Sequence, residues 1–458
     1  MRPRTRKPSG TLRRVSKITP DGDTATDLPY AVIGAGPSGL AATRALTMRG
    51  FDVLGYEMND DVGGLWDIDG PRSTMYESAH LISSKTTTQF AEHPMGDDVA
   101  DYPSHRELTR YFHSYADRFG LRAHYRFGTE VTRVEPYADG GWVVESRPVG
   151  TGDAAPTTDR VAGVIVANGT LSEPNVPQLN GHFDGQIFHT SAYKQATVFA
   201  GKRALVIGAG NSGCDIAVDA VHHAESVDMS VRRGYYFVPK YLFGKPADTL
   251  NQGKPLPPRI KQAIDTRVLK LFTGDPVALG FPKPDYKIYE SHPIVNSLIL
   301  HHLGHGDLTI KPDVDHVDGS TVHFRDGTTR DYDTIVLATG YTLHYPFVDP
   351  ALLRWNGWSP QLYLHIFTPV ADGLFMMGMV EASGLGWQGR YEQAELIASY
   401  LDARRHRPSQ AAAFEARTRG PLPDLSGGYR YLGLERMSYY VNKDAYRTAV
   451  RAAIEELS

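Results

Sequence analysis

Cysteine is almost absent: the 458-residue chain carries one, Cys214. A single thiol cannot build an intramolecular disulfide framework or cycle as the redox pair of a disulfide reductase, and it fits a reducing cytoplasm. Long apolar runs are missing too, since none approaches the roughly 18 residues of a membrane-spanning helix. Nor does charge of one sign accumulate. A formal net charge of -4 and a pI near 6.5 give no broad field for nucleic acid or an anionic membrane, so neither is expected as a partner. What is present, 41% hydrophobic and 22% charged residues, suits a chain that buries two or three cores.

The first 28 residues stand apart, with Arg2, Arg4, Arg6, Lys7, Arg13, Arg14 and Lys17 preceding any acid. They read as a disordered basic tail. The polar ITPDGDTATDLP after Arg13-Arg14 is not the apolar segment a twin-arginine export signal needs.

Order begins at Tyr30, where the apolar YAVI runs into GAGPSG and then the helical pattern LAATRALTMRG. Strand, tight turn and helix predict a dinucleotide site. Gly34 permits the turn, Gly36 lets backbone approach a pyrophosphate, and Gly39 lets helix and strand pack closely, with Pro37 and Ser38 between them. A second strand, FDVLGYE, ends at Glu57, where an acid is expected to bind a ribose. In the following DDVGGLWDI, Gly63 and Gly64 allow close backbone approach, with Leu65 and Trp66 beside them. The helix after it carries Leu108, Tyr111, Phe112, Tyr115 and Phe119 on one face as core. EVTRVEPY, GWVVESR and RVAGVIVANG predict an antiparallel meander returning to the sheet, with Ala167 to Gly169 as a second close approach.

KRALVIGAGNSGCDIAVDAV repeats the pattern, placing Gly208, Gly210, Asn211, Ser212 and Gly213 at a second nucleotide. After the next strand, Arg232 and Arg233 replace the expected acid. Arginine's planar fork suits a phosphate, so the second nucleotide is read as NADPH. An insertion at about 241–300 holds one helical stretch, RIKQAIDTRVLKLF, and no catalytic motif. HHLGHGD, at His301 to Asp307, lacks the companions a metal site needs, and none is expected. A hairpin at Asp326-Gly327 and the strand TIVLATG are expected to return the chain to the first domain, which ends in the GLGWQGRYEQAELIASYL helix and an amphipathic C-terminal helix. The expected fold is α/β: two Rossmann-like dinucleotide-binding domains, 29–175 with 326–458, and 176–325 inserted into the first.

FDGQIFHTSAY lies between the glycine turns. Its Phe183, Gly185, His189 and Tyr193 fit F-x-G-x-x-x-H-x-x-x-[FY] without a gap. With GAGPSGL, the Glu57 to Trp66 segment, GAGNSG, Arg232-Arg233-Gly234 and Ala338-Thr339-Gly340 in order and spacing, Tyr30 to about Tyr400 resembles the flavin-containing monooxygenases. The resemblance implies FAD at the first turn, held by Gly34, Gly36, Pro37, Ser38, Gly39, Glu57, Gly64, Leu65, Trp66, Ala338, Thr339, Gly340 and Gln388. NADPH would lie at the second. It implies that one oxygen atom of O2 passes through a flavin C4a-hydroperoxide to a soft nucleophile of a small molecule, without a membrane anchor. His189 would set geometry at the link rather than exchange protons. Tyr193, where Baeyer-Villiger relatives carry tryptophan, favours nitrogen or sulfur over a ketone. Ile82 departs from the family: many members carry an asparagine there beside flavin C4a, and an apolar side chain cannot donate that hydrogen bond. Ser84 would take over, or peroxide would leak. Baeyer-Villiger oxygenation and an NADPH oxidase or non-catalytic flavoprotein are the alternatives, and a homodimer is the default assembly.

Overall fold

A computed structural model describes residues 28–152, 154–250 and 256–458. The basic tail and its arginine pair lie outside the described residues, apart from Leu28, which is buried.

Two five-stranded parallel sheets form two lobes. The first runs Leu374–Met376, Gly163–Val166, Tyr30–Ile33, Val53–Tyr56, Tyr125–Arg126 across the sheet. The second runs Gln186–His189, Thr334–Leu337, Arg203–Ile207, Ser226–Ser230, Leu308–Lys311. In each, the strand that enters a glycine turn is central and lies between the next strand in the chain and a later, wholly buried apolar one. The meander, Thr129–Pro136, Trp142–Pro148 and Thr157–Val161, forms a separate antiparallel sheet.

The strand Thr334–Leu337 corrects the expected domain boundary. It pairs with Arg203–Ile207 and Gln186–His189, both in the second sheet. The hairpin before it packs Val322 and Phe324 against Phe183, Leu205 and Ile335. The chain therefore returns to the first lobe after Gly340, not at 326. An apolar strand buried on both faces fits any parallel sheet, so the pattern alone did not say which one.

Helix α1 (Pro37–Met48) starts on Pro37, whose missing N–H costs nothing in the first turn, and the chain turns away at Gly50, φ +70. Its Leu40, Ala41, Ala42, Ala45 and Leu46 are buried. Helix α2 (Lys85–Thr88) is a single turn, and α3 (His105–Phe119) opens with a Ser104–Glu107 capping box and buries Leu108, Tyr111, Phe112 and Tyr115. Helix α4 (Asn211–Val221) follows the second glycine turn. The insertion contributes α5 (Pro258–Thr273) and α6 (Leu298–His305). Helix α7 (Gly386–His406) closes the first core, where Trp387 packs edge-on against Phe112.

Two half-buried histidines make stability fall on the acid side. Burial lowers the pKa of His365 to about 4 and, with Arg436 nearby, that of His292 to about 3. Both fold as neutral rings and bind protons more readily when unfolded. Their contribution is therefore full above pH ~6.5 and drains away as pH falls toward 4 and 3. Urea denaturation of the protein between pH 7.5 and 4.5 should show this decline, with a shallower slope for His292→Gln.

Candidate functional site

The two glycine turns can be read by asking what a methyl group would meet at each position. A Cβ at Gly34 would lie 2.6 Å from the carbonyl oxygen of Ala167, and one at Gly39 would lie 1.7 Å from that of Gly34. At Gly208 and Gly213 the distances are 2.4 Å, to the Ala338 oxygen, and 2.2 Å, to the Gly208 oxygen. These four glycines are required by the chain's own packing. The middle ones are not: a Cβ at Gly36 meets only the Gly64 Cα at 3.6 Å, and one at Gly210 meets nothing within 4 Å. Both have ordinary negative φ, -74° and -72°. A side chain would fit at both, so packing does not demand glycine at the N-termini of α1 and α4, neither of which has a side-chain cap. Unpaired N–H groups, the positive end of the helix dipole and room for close approach fit a pyrophosphate at each turn.

Around the first turn, Gly64 (φ +59) passes so near Gly36 that its own Cβ would lie 2.9 Å from the Gly36 Cα. Glu57 is 7% exposed and takes the backbone N–H groups of Ala35 and Asn59 on its two oxygens. Burial raises its pKa against the pull of those N–H groups, and ribose hydroxyls are further donors that its two oxygens could accept. Ser38 lies beside Gly378, Leu65 is half-buried, and Trp66 sits at the edge of the first core with its ring 6.3 Å from that of Trp387.

Gln388, in the first turn of α7, accepts the N–H of Ala91 at 2.8 Å. Helix α2 crosses the same end, where a Cβ on Gly386 would lie 2.5 Å from the Thr87 oxygen. The half-buried Ile82 and the buried Ser84 lead into α2. The Ser84 hydroxyl is engaged by Thr86 and Thr87, each at 3.2 Å, and its N–H donates to Asp248 of the insertion at 2.7 Å. Lys85 Nζ is spent on the carbonyls of Gly96 and Val99.

Ala338, Thr339 and Gly340 belong to the second turn rather than the first. The Ala338 carbonyl lies against Gly208 as that of Ala167 lies against Gly34, because each apolar strand ends beside the glycine turn of its own sheet. Thr339 Oγ1 donates to the Asn175 carbonyl. The Asn211 side chain accepts from Val295 N at 2.7 Å, which makes it a brace to the insertion, and Ser212 reaches the Tyr76 hydroxyl. Arg232 is exposed and Arg233 half-buried, its guanidinium 5.2 Å from the Tyr235 ring. Neither has a carboxylate partner among the described residues, so both charges remain available at the end of the second strand.

The connector explains its own residues. Phe183 is buried, and a Cβ on Gly185 would meet the Asp333 oxygen at 2.4 Å. His189 Nδ1 accepts from Ser191 N, which puts the proton on Nε2, where it donates to the Gly340 carbonyl at 3.0 Å. Burial lowers its pKa and keeps the ring neutral. The Tyr193 hydroxyl donates to Asp219 at 2.8 Å. Sequence reasoning missed the next residue: Lys194 Nζ donates to the carbonyls of Ile68, Ser73 and Met75 at 3.1, 2.9 and 3.2 Å. It also missed Asp215 and Asp219, whose spacing of four on a largely apolar helix was the available signal. Among the described residues no group of three or more side chains could hold a metal ion, and no helix is long and apolar enough to cross a membrane.

Residues 29–419 match the family described as flavin-binding monooxygenase-like. Flavin-containing monooxygenase 3 of Oryctolagus cuniculus is 30% identical over 376 residues, covering 77% of this chain and 70% of the relative. S-allyl-L-cysteine S-oxygenase from Allium sativum shares the fold with a TM-score of 0.64 at 19% identity, covering 93% of this chain and 88% of that one. Cyclohexanone monooxygenase from Rhodococcus sp. Phi1 bound to NADP+ does so with a TM-score of 0.68 at 21% identity, covering 94% and 97%. Two glycine turns, an ungapped connector and a match spanning both lobes agree, and the chain belongs to the flavin-binding monooxygenase-like family of oxidoreductases.

Proposed function

We propose that the protein is an NADPH- and FAD-dependent monooxygenase that inserts one oxygen atom of O2 at the nitrogen or sulfur of a small molecule. The observation that carries this reading is the pair of middle glycines, Gly36 and Gly210, kept bare at two helix N-termini where the chain's own packing does not require them. Bound FAD supplies the chemistry that takes two electrons from NADPH and delivers one atom of O2 to the substrate, the other leaving as water.

The chain does the holding. The N-terminus of α1 with Gly36 and Gly64 would take the FAD pyrophosphate, Glu57 its ribose hydroxyls, and the N-terminal turn of α7 at Gln388 its ring system. The N-terminus of α4 would take the NADPH pyrophosphate, and Arg232 and Arg233 its 2′-phosphate. His189, neutral and with both nitrogens engaged, holds the Gly340 loop and has no proton to trade at neutral pH. Nitrogen or sulfur is preferred to a ketone because Tyr193 ends the fingerprint. The single buried Cys214 agrees with a reducing compartment, the cytoplasm.

A screen of amines, sulfides and ketones with purified holoenzyme tests the reading. NADPH-dependent oxygen uptake should rise with an amine or sulfide and yield the N- or S-oxide. Turnover of a ketone to an ester in preference to either would give the Baeyer-Villiger reading instead. We place Ile82 and Ser84 beside the reacting end of the flavin, because α2 packs on the α7 terminus that carries Gln388. Ile82→Asn restores a hydrogen-bond donor there and should at least halve the hydrogen peroxide released per NADPH consumed; an unchanged ratio would remove Ile82 from the site.

A further inference from the structure

The arm from Asp67 to His80 leaves the first lobe and comes back to it, while its middle is buried in the second. Trp66 and Leu81, at its two ends, pack on the first core. Tyr76 and Ala79, between them, are buried in the second core with Tyr193, Cys214 and Ile216. Polar bonds fasten the arm there. The Tyr76 hydroxyl donates to Asp215 Oδ2 at 3.0 Å, and the other oxygen of that carboxylate takes Asn296 Nδ2 at 2.6 Å. One turn further along α4, Asp219 Oδ2 takes both the Ser78 and the Tyr193 hydroxyls. Two carboxylates on one face of α4 thus bind the first-lobe arm, the connector and the insertion together, while Lys194 ties the connector to the start of the same arm.

We propose that Asp215 and Asp219 are positioning residues for electron transfer: by gripping the arm and the connector they fix the N-terminus of α4 against the first lobe, and so set the distance from nicotinamide to flavin. The proposal rests on the two-cofactor reading above. Such a distance is sensitive, since a misplacement of about 1 Å can cost about 100-fold in rate. α4 presents the second glycine turn directly, so a loosened grip moves that turn as a rigid body without altering the groups that hold the nucleotide.

The lone Cys214 is fully buried, and burial raises its thiol pKa, so introduced surface cysteines can be labelled selectively. Met48 on the first lobe and Leu298 on the second are 63% and 59% exposed. Met48→Cys/Leu298→Cys holoenzyme carrying two spin labels reports the separation of the lobes as a distance distribution by pulsed electron resonance. Asp219→Ala should broaden that distribution and slow anaerobic flavin reduction at saturating NADPH at least tenfold, with NADP+ affinity within threefold of the parent. Asp219→Asn keeps an oxygen for both hydroxyls and should restore both measurements. Ser78→Ala, which deletes one donor, should show the same pattern more weakly and serves if Asp219→Ala does not fold. An unchanged distribution, or a broadened one with an unchanged reduction rate, overturns the proposal. A parent enzyme whose flavin NADPH does not reduce would defeat the functional reading instead, and the distance distribution would still decide whether Asp219 holds the lobes.

Discussion

Replacing Arg232 by alanine is expected to raise the Michaelis constant for NADPH about 10- to 100-fold and to leave that for NADH unchanged. A hydrogen bond to a charged group is worth about 1.5 to 3 kcal/mol, and each 1.4 kcal/mol is a factor of ten. The two cofactors differ only by the 2′-phosphate, so the loss must fall on one of them. Arg232 follows the strand Ser226–Ser230, where an NAD-preferring site would place an acid, and it has no carboxylate among the described residues to neutralise it. Because it is exposed, the effect belongs at the lower end of the range in physiological salt and should grow as ionic strength falls. Steady-state kinetics with both nucleotides at two salt concentrations check this; equal losses for NADH and NADPH would defeat the assignment.

Two alanine substitutions three residues apart should fail in opposite ways. Gly213→Ala places a methyl group 2.2 Å from the backbone oxygen of Gly208. Neither α4 nor the turn can yield without breaking the close packing of helix on strand, and overpacking of this kind costs about 1 to 3 kcal/mol or more. For a lobe of this size that lowers the melting temperature by roughly 2 to 12 °C. Gly210→Ala adds a methyl group that meets nothing within 4 Å at an ordinary φ of -72°. Its melting temperature should fall by no more than about 4 °C, since exchanging a helix-capping glycine for alanine moves stability by only about 1 kcal/mol. Affinity for NADPH should nonetheless fall at least tenfold, because the methyl group occupies the room a pyrophosphate needs. Scanning calorimetry and titration calorimetry on the two variants separate the cases, and Gly210→Ala with full affinity would remove the phosphate from this turn.

Much of this arrangement was legible in the sequence. YAVI, the glycine turns and the helical patterns after them fall where they were read, because each is set by local chemistry: apolar runs, helical periodicity and the glycines that close packing of helix on strand requires. The fingerprint was legible as a pattern but not as contacts. That His189 serves Gly340 and Tyr193 serves Asp219 depends on partners 151 and 26 residues away, which periodicity does not encode. The strand ending Ala338-Thr339-Gly340 was recognised as a strand yet given to the wrong sheet. Its apolar residues describe burial on both faces, and both sheets offer that environment. Lys194 and the Asp215–Asp219 pair were not singled out, since only the folded arm turns them into donors and acceptors for groups from another lobe.

The placement of the strand Leu374–Met376 also constrains how the molecule is made. The second lobe, from about residue 176 to 340, is contiguous in the chain, and Tyr76 and Ala79 of its core are synthesised before it begins. It can therefore complete its packing as it leaves the ribosome. The first sheet lacks its edge strand beside Gly163–Val166 until residue 376 has emerged, some 200 residues after the four strands it joins. During that interval Val164 to Val166 stand with one open edge of unpaired backbone N–H and C=O groups between apolar side chains, a segment exposed to wrong pairing and one a chaperone has reason to cover.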